Sequence, residues 1–370
     1  MTDSRTRRLR VGVIGCGMIA QRVHLPILTG LPDVEVTALA EPDPQRRAEA
    51  AALAPTAATY ADYSDLLAAA DVDAVVVCLP SALHASAAIA ALAAGKHLYL
   101  EKPLATDLDE GRGVLEAWRR AGTVGMIGFN YRFNRLYEEL RGHVQSAGTD
   151  GVGEVVAVRS VFSTATSPQD WRQTRQAGGG ALLDLASHHV DLVRFLLDRE
   201  VHRVFAALQS RRGEGDVAML ELLLDGGAPV QSLFSLSTVE EDRIEIYGRS
   251  GKLAVDRYLS PTVQRTGPTL RGARMERLAG GLRSVRHGAY TLERIRAPGN
   301  EPSYGTALRR FVVAALADRP DLGTPDLFDG YQSLAVVAAA EEAARTGCTV
   351  TLAASDEARP STRGAAGESA

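Results

Sequence analysis

A carboxylate and a histidine recur at helical spacing after a run of three glycines. Asp184, His188 and Asp191 occupy positions i, i+4 and i+7 of an amphipathic stretch, which places them on one stripe of a predicted helix. Asp184 can therefore hydrogen-bond His188 and favour its protonated form. Histidine is the usual proton shuttle near neutral pH. By itself the pair fits a structural histidine on a capped helix better, so acid–base chemistry needs further groups.

Lysine is rare in this chain: only Lys96, Lys102 and Lys252 occur among 41 basic residues. Arginine stands almost everywhere that a generic positive charge suffices. At least one remaining lysine is therefore expected to need a compact ammonium whose pKa can be tuned. Lys102 follows a predicted strand, within Glu101-Lys102-Pro103. Ligands of open α/β sheets bind beyond the carboxyl ends of the strands, so we expect Lys102 to face a ligand crevice rather than a surface turn.

A glycine-rich turn follows the first predicted strand and opens a helix. Gly15 allows the tight turn, and Gly17 lets the backbone approach a pyrophosphate at the helix N-terminus. Glu41 ends the second predicted strand about 20 residues further on, where a carboxylate binds adenosine ribose hydroxyls. A 2′-phosphate would be repelled there, so NAD is favoured. NADP is the alternative, because Arg46 and Arg47 lie nearby.

Short β-rich runs alternate with helix-like segments in the first third of the chain. The runs lack strict polar–apolar alternation, as strands buried on both faces of a parallel sheet should. The clearest helix covers residues 84–94, and Gly95 ends it. This pattern predicts an N-terminal α/β Rossmann domain over residues 1–129, with a doubly wound parallel sheet. The predicted strands are LRVGVI, VEVTALA, AVVVCL, HLYL and VGMIGF.

Beyond these strands, several strand-like segments follow one another without an intervening helix. Hairpin-like turns at 225–227 and 249–251 join two pairs of them. We therefore predict an α+β domain over residues 130–352, built on a largely antiparallel open sheet. The predicted strands are GEVVAVRSVF, HRVFAALQS, VAMLELLLD, VQSLFSLS, DRIEIYG and KLAVDRYL.

The last part of the chain mixes helices with irregular segments. Residues 264–296, rich in arginine and glycine, are predicted as a surface excursion, with a basic anion-binding patch as the less favoured interpretation. Helices over 304–316 and 330–346 are predicted to close the fold. Residues 353–370 are predicted to form a disordered tail.

The composition limits which binding partners and which cellular compartment are expected. A length of 370 residues suits two domains. The net charge of -4 gives no reason to expect nucleic acid or an anionic membrane as partner. Cys16, Cys78 and Cys348 are odd in number and far apart, which favours a reducing cytoplasm over a disulfide framework. No metal site is predicted, because no Cys or His cluster matches the Asp184–His188 pair.

Several ordered motifs together resemble the Gfo/Idh/MocA oxidoreductases, which include glucose–fructose oxidoreductase and inositol dehydrogenases. The resemblance runs from about residue 10 to the final helices, nearly the whole chain. It implies an NAD(P)-dependent oxidoreductase that transfers hydride between nicotinamide and a secondary alcohol or ketone of a sugar, inositol or nucleotide sugar. The motifs are GCGMIA, LPSALH, AGKHLYLEKPLA, and DWR followed by GGGALLDLASHHVD.

The resemblance implies a catalytic set. Lys102 matches the family's catalytic lysine, and a cis peptide before Pro103 is implied to aim it at the substrate. Asp184 and His188 match the Asp-xxx-His pair. His188 is implied to remove the hydroxyl proton, Lys102 to stabilise the developing oxygen charge, and Asp184 to hold and tune His188; such proton transfer contributes about 10²–10⁴-fold. Asp191 also matches a family position, with a structural role implied.

Motifs and resemblance together predict the binding residues. Many members have Thr-Pro-Asn where this chain has Leu79-Pro80-Ser81, so this chain lacks the Thr and Asn side chains that contact the cofactor in those members. A homodimer or homotetramer is expected through the second sheet, because the apolar run at 217–224 needs cover on both faces. The predicted cofactor-binding residues are Gly15, Gly17, Met18, Ile19, Glu41, Leu79, Pro80, His84, Glu101, Lys102 and Asn130. The predicted substrate-binding residues are Lys102, Tyr131, Arg132, Trp171, Arg172, Asp184 and His188.

Three alternative functions stay open. Some relatives oxidise transiently with a retained NAD to break a glycosidic bond, and are hydrolases. Others are sugar-responsive regulators that bind the dinucleotide without turnover, which the presence of Lys102 and His188 makes less favoured. A reductase of a non-sugar carbonyl would bury a more apolar substrate, whereas Asn130, Trp171 and Arg172 favour a small polyhydroxylated one.

Overall fold

The computed structural model of the chain describes residues 7–69, 71–146, 151–165, 173–269 and 288–353. Trp171, Arg172, residues 270–287 and nearly all of the predicted tail at 353–370 lie outside these ranges. Within the described ranges, no helix combines the length and the apolar character needed to cross a membrane.

The N-terminal sheet has six strands: β1 (Leu9–Ile14), β2 (Val34–Ala40), β3 (Ala58–Tyr60), β4 (Ala74–Val77), β5 (His97–Leu100) and β6 (Gly125–Ile127). Their order is β3-β2-β1-β4-β5-β6, and all neighbours are parallel. This confirms the predicted doubly wound Rossmann sheet. All four residues of β4 are buried, which explains why its sequence is apolar throughout.

The helices that connect these strands in the described part of the chain are α1 (Leu25–Gly30), α2 (Pro44–Leu53), α3 (Tyr63–Ala69), α4 (His84–Ala93) and α5 (Leu108–Ala121). The chain turns helical at Met18 and passes through a π-helical turn, Ala20–His24, before α1. Gly95 follows α4 with φ +69°, a left-handed conformation that favours glycine after a helix end. The helix predicted over 84–94 is therefore confirmed.

Among the residues that the structure describes, the second sheet has eight strands: β7 (Val155–Ala165), β8 (Val201–Gln209), β9 (Val217–Leu224), β10 (Pro229–Ser235), β11 (Ser237–Gly248), β12 (Gly251–Asp256), β13 (Gln264–Thr266) and β14 (Val350–Thr351). Their order is β13-β12-β11-β7-β10-β9-β8-β14. β7 and β10 pair in parallel, and the other neighbours are antiparallel. The largely antiparallel second sheet and its two predicted hairpins are thus confirmed.

The described parts of the segment over 264–296, predicted as a surface excursion, are largely exposed but contain regular structure that was not predicted. Gln264–Thr266 is an edge strand, and Gly288–Arg296 forms helix α8. Tyr290 on α8 is 2% exposed, and its hydroxyl donates to Asn134 at 3.3 Å. A three-residue strand and a short helix contain too few apolar positions for a recognisable periodicity.

The remaining helices are α6 (Arg135–Gln145), α7 (Ser187–Leu197), α9 (Ser303–Leu316) and α10 (Leu327–Thr346). The last two confirm the two predicted C-terminal helices. α9 packs on the N-terminal sheet, where the buried ring of Phe311 meets that of Tyr99 edge-on at 5.7 Å. The sequence assigned α9 to the second domain. The domain boundary at 129/130 remains a proposal. It separates the two sheets, but α9, which comes after it in the sequence, packs on the first sheet.

Candidate active site

The glycine turn lies at the carboxyl edge of the N-terminal sheet. Gly15 has φ +86°, and a Cβ there would lie 2.8 Å from the Cys78 carbonyl group, so glycine is required. A Cβ at Gly17 would meet nothing within 4 Å. Met18, 64% exposed, and the half-buried Ile19 begin the helix. Open space before a helix N-terminus suits a pyrophosphate.

Glu41 stands directly after β2, beside this turn. Its Oε2 accepts a hydrogen bond from the Cys16 N–H at 2.9 Å, and its Oε1 accepts one from the Asp43 N–H at 3.1 Å. Nε of Arg46 lies 3.7 Å from Oε1. A carboxylate has about four lone-pair sites, so Glu41 keeps acceptors for ribose hydroxyls. Glycine turn and carboxylate together fit a dinucleotide.

Lys102 follows β5 and is bound to a residue of the second domain. Its Nζ donates to Asp184 Oδ1 at 2.7 Å and to the Asp184 carbonyl oxygen at 3.0 Å. The side chains are only 16% and 8% exposed, and the Lys102–Pro103 peptide bond is cis. An ammonium has three N–H donors. Two are directed at Asp184, so the ammonium retains a third that could be donated to a ligand.

His188 lies in the first turn of α7, in an aromatic pocket. Its ring stacks on Tyr131 with centroids 4.6 Å apart, and the rings of Phe129 and Phe162 lie at 6.4 and 6.1 Å. Burial lowers the pKa of His188 well below its ordinary value of 6.5, and the positive charge of Lys102 lowers that pKa further. The imidazole is therefore neutral at neutral pH and can accept a proton.

The pKa of His188 is set mainly by groups other than Asp184. The carboxylate was expected to favour a protonated imidazole, whereas the pKa of His188 is lowered and Asp184 Oδ1 binds Lys102. The spacing argument assumed 3.6 residues per turn. Residues Leu182–Ala186 instead form a π-helical turn, whose i→i+5 hydrogen bonds widen the helix and displace later residues from the expected stripe.

His84 links the two backbone segments that flank the lysine. Its Nδ1 lies 2.6 Å from the Pro103 carbonyl oxygen, and its Nε2 lies 2.8 Å from that of Leu79. Burial lowers the pKa of His84, although the two carbonyl contacts oppose this. His84, predicted as a cofactor contact, thus also fixes the loop on which Lys102 stands.

The Leu79-Pro80-Ser81 segment meets the glycine run of the second domain. Pro80 is exposed and Leu79 half-buried. A Cβ at Gly178 would lie 2.4 Å from Ser81 Cβ, so the close packing of these two segments requires glycine. The glycines before Asp184 therefore bring the second domain against the edge of the nucleotide-binding sheet.

Glu101 and Asn130 follow β5 and β6. His24 Nε2 lies 2.7 Å from Glu101 Oε1, and a Cβ at Gly128 would lie 3.0 Å from the same carboxylate. Asn130 Nδ2 donates to Ser303 Oγ at 2.8 Å, while its buried Oδ1 has no hydrogen-bond partner in the described part of the chain. The side chains of Glu101 and Asn130, both predicted to contact the cofactor, are thus held in place by other residues of the protein.

Arg132, predicted to bind substrate, lies in a buried ion-pair network. Its Nε donates to Asp191 Oδ2 at 2.9 Å, and its Nη2 lies 3.2 Å from Asp329 Oδ1. Arg194 lies 3.6 Å from both carboxylates. This network joins the segment after β6 to α7 and α10, so the contacts of Arg132 and Asp191 are structural.

Sequence reasoning missed a second buried cluster, centred on Asp242. Its Oδ2 accepts from the Tyr131 hydroxyl and from Arg257 Nε, each at 2.7 Å. Its Oδ1 accepts from the Tyr137 hydroxyl at 3.0 Å and lies 3.1 Å from His189 Nε2. Burial opposes ionisation, but Arg257 and His189 hold the pKa of Asp242 well below its usual range. Asp242 is therefore a buried carboxylate with four donors.

One signal for this cluster was present in the sequence. Asp242 lies two and four residues before Ile244 and Ile246 in β11, which puts the three on one face of the strand. Both isoleucines are fully buried, so the carboxylate had to be buried with partners. The described residues contain no group of three or more His, Cys, Asp or Glu side chains that could hold a metal ion.

Comparisons with known proteins agree with this geometry. Residues 9–129 match the Gfo/Idh/MocA oxidoreductase family with an NAD-binding Rossmann fold, and residues 145–254 match the Gfo/Idh/MocA C-terminal domain. The chain is 34% identical over 259 residues to the dTDP-3,4-didehydro-2,6-dideoxy-alpha-D-glucose 3-reductase of Streptomyces violaceoruber, covering 69% of this chain and 75% of the relative. It is 29% identical over 321 residues to the myo-inositol 2-dehydrogenase of Thermotoga maritima, covering 84% and 90%.

The fold is similar to the crystal structure of the WlbA dehydrogenase from Bordetella pertussis in complex with NADH and UDP-GlcNAcA. The TM-score is 0.79 at 22% identity, and the similarity covers 95% of this chain and 99% of that one. Two family models match in order over most of the chain. The chain therefore belongs to the Gfo/Idh/MocA family of oxidoreductases, and its N-terminal domain is an NAD-binding Rossmann domain.

Proposed function

We propose that the chain transfers hydride between NAD and a secondary alcohol or ketone of a sugar, inositol or nucleotide sugar. The observation that carries this proposal is the Lys102–Asp184 ion pair at the carboxyl edge of the sheet, with His188 one turn further on. The relatives support the substrate class, since one is named as a dehydrogenase of myo-inositol and another as a reductase of a dTDP-linked keto sugar.

Different residues of the chain bind the cofactor and assist the reaction. Gly15, Gly17 and Glu41 hold the pyrophosphate and adenosine ribose, and the chemistry that bound NAD supplies is hydride transfer. During alcohol oxidation His188, which is neutral, accepts the hydroxyl proton. The third N–H of Lys102 stabilises the charge that develops on the same oxygen.

A substrate screen tests the proposal. Inositols, aldoses and nucleotide sugars are incubated with NAD or NADP, and reduced nicotinamide is followed by absorbance. We expect turnover on at least one polyol with NAD, and its loss in Lys102→Met but not in Lys252→Met. No turnover with either cofactor would overturn the proposal, and glycosidic cleavage with NAD retained on the protein would favour the hydrolase alternative.

We also propose a homodimer or homotetramer through the outer face of the second sheet. Along β9 the even-numbered residues are buried, while Met219 is 53% exposed and is paired across the sheet with Leu233, which is 37% exposed. Phe205 on β8 is 38% exposed. An apolar face of this kind needs cover. Light scattering is expected to show an oligomer, and a monomer at high protein concentration would refute the proposed assembly.

A further inference from the structure

The ring of Tyr131 lies between the Asp242 cluster and His188. We infer that Tyr131 is a positioning residue: Asp242 and Arg257 fix its ring, and that ring fixes the imidazole of His188. The inference rests on the proposed function, in which His188 takes the substrate proton. Tyr131 was predicted to bind substrate, whereas its hydroxyl is engaged by Asp242.

Two contacts fix the Tyr131 ring. The hydroxyl donates to Asp242 Oδ2 at 2.7 Å, which holds the edge of the ring. The guanidinium carbon of Arg257 lies 4.7 Å from the ring centroid, a cation–π distance. The Arg257 Nε donates to the same Oδ2 at 2.7 Å, so one carboxylate orients both groups. The phenol ring therefore has little freedom to tilt or slide.

The imidazole of His188 depends on this ring for its orientation. Its Nδ1 is buried and has no hydrogen-bond partner among residues 7–69, 71–146, 151–165, 173–269 and 288–353. A catalytic histidine is usually oriented by a hydrogen bond from its second nitrogen. Here the near-parallel stack on Tyr131, 4.6 Å between centroids and 19° between planes, is the closest ring contact of His188.

The same arrangement sets the charges around His188. The cations Lys102 and Arg257 disfavour its protonated form, as does His189, whereas the carboxylate of Asp242 favours it. A tilt of the Tyr131 ring would change the distances from the imidazole to these groups. Loss of the stack is therefore expected to alter the pH profile of the reaction as well as its rate.

Three variants separate positioning from stability. Tyr131→Leu removes the stack, and Tyr131→Phe keeps the ring but loses the anchoring bond. Tyr137→Phe is the matched control, because Tyr137 donates to the same carboxylate at 3.0 Å. Its ring packs against Tyr131, with 5.6 Å between the two ring centroids, and not against His188. Misplacement of a catalytic group by about 1 Å costs about 10²-fold. We expect kcat to fall about 10–100-fold in Tyr131→Leu, less in Tyr131→Phe, and little in Tyr137→Phe, with KM for NAD unchanged.

Thermal unfolding and the kcat pH profile are measured on all three. A purely structural role would make kcat follow the melting temperature, so that Tyr131→Phe and Tyr137→Phe lose activity equally and keep the wild-type pH profile. That result would overturn the inference.

An NMR measurement keeps the test independent of turnover. The ¹⁵N-histidine spectrum is recorded, and the His188 signal is assigned by its absence in His188→Gln. We expect a ring-current shift that is lost in Tyr131→Leu and kept in Tyr137→Phe; an unchanged shift in Tyr131→Leu would refute the stacking argument. If the wild type oxidised no polyol, the proposed function would fail while this spectrum still decided the role of Tyr131.

Discussion

Replacing Lys102 with arginine is expected to leave NAD binding intact and to remove most turnover. Two of the three N–H donors of Lys102 are directed at Asp184, at 2.7 and 3.0 Å, which leaves one for the oxygen that becomes charged. A guanidinium is planar and longer, and its parallel N–H groups match a carboxylate bidentately. The pair with Asp184 is therefore kept, but no donor is held at the substrate oxygen.

The size of the loss follows from that single donor. Removing one preorganised hydrogen bond to a developing oxyanion lowers kcat by about 10²–10³, or about 2.7–4 kcal/mol. The affinity for NAD is expected to stay the same, because in the proposed function Gly15, Gly17 and Glu41 bind the far end of the cofactor. Steady-state kinetics on the active polyol and a fluorescence titration with NAD measure the two quantities.

Lys252 offers the matched control. Its Nζ also donates to a carboxylate, Glu245 Oε1 at 2.9 Å, but on strands β11 and β12 of the second sheet. Lys252→Arg is expected to keep the wild-type kcat. Near wild-type turnover in Lys102→Arg would show that Lys102 supplies only a positive charge. An equal loss of turnover in Lys252→Arg would show that the loss is not specific to the site. Either result would refute the role of Lys102 as the donor to the reacting oxygen.

Three further predictions concern other parts of the site. Glu41→Ala should lower kcat/KM for NAD more than for NADP, and a wild-type preference for NADP would contradict the role of Glu41. Because the pKa of His188 lies below 6.5, the neutral base persists as the pH falls to 6.5; kcat/KM for oxidation should decline only below that value, and a midpoint above it would be inconsistent. Arg132→Ala leaves Asp191 buried without its bidentate partner, so urea unfolding should show a loss of about 3–5 kcal/mol. Unchanged stability with a raised substrate KM would instead favour substrate binding.

The sequence predicted best those features that neighbouring residues determine. Gly15, Glu41 and Lys102 each lie one or two residues after a strand, so the topology of a parallel sheet brings them to one edge without any knowledge of long-range contacts. The hairpin turns were predictable for the same reason, since Gly226 and Gly227 have φ of +80° and +87°, which few other residues adopt.

Features that depend on distant partners were not predictable. Tyr131 and Asp242 are far apart in sequence and meet only because the segment after β6 packs beneath β11. The π-helical turn at Leu182–Ala186 has the same apolar pattern as an α-helix, and periodicity within this segment could not show that Asp184 also binds Lys102, 82 residues earlier. Arg132 was placed by resemblance alone, and only the positions of Asp191 and Asp329 show what it binds.

The packing of helix α9 on the first sheet has a consequence for biosynthesis. β1 begins at Leu9 and α9 ends at Leu316, so a ribosome adding about 5–20 residues per second needs roughly 15–60 s between the two. From the synthesis of Tyr99 until that of Phe311, the apolar surface that Phe311 covers is exposed, and such surfaces bind chaperones and promote aggregation. A fragment ending at residue 129 would keep that surface permanently. The nucleotide-binding half is thus translated first but cannot complete its packing until α9 has been synthesised.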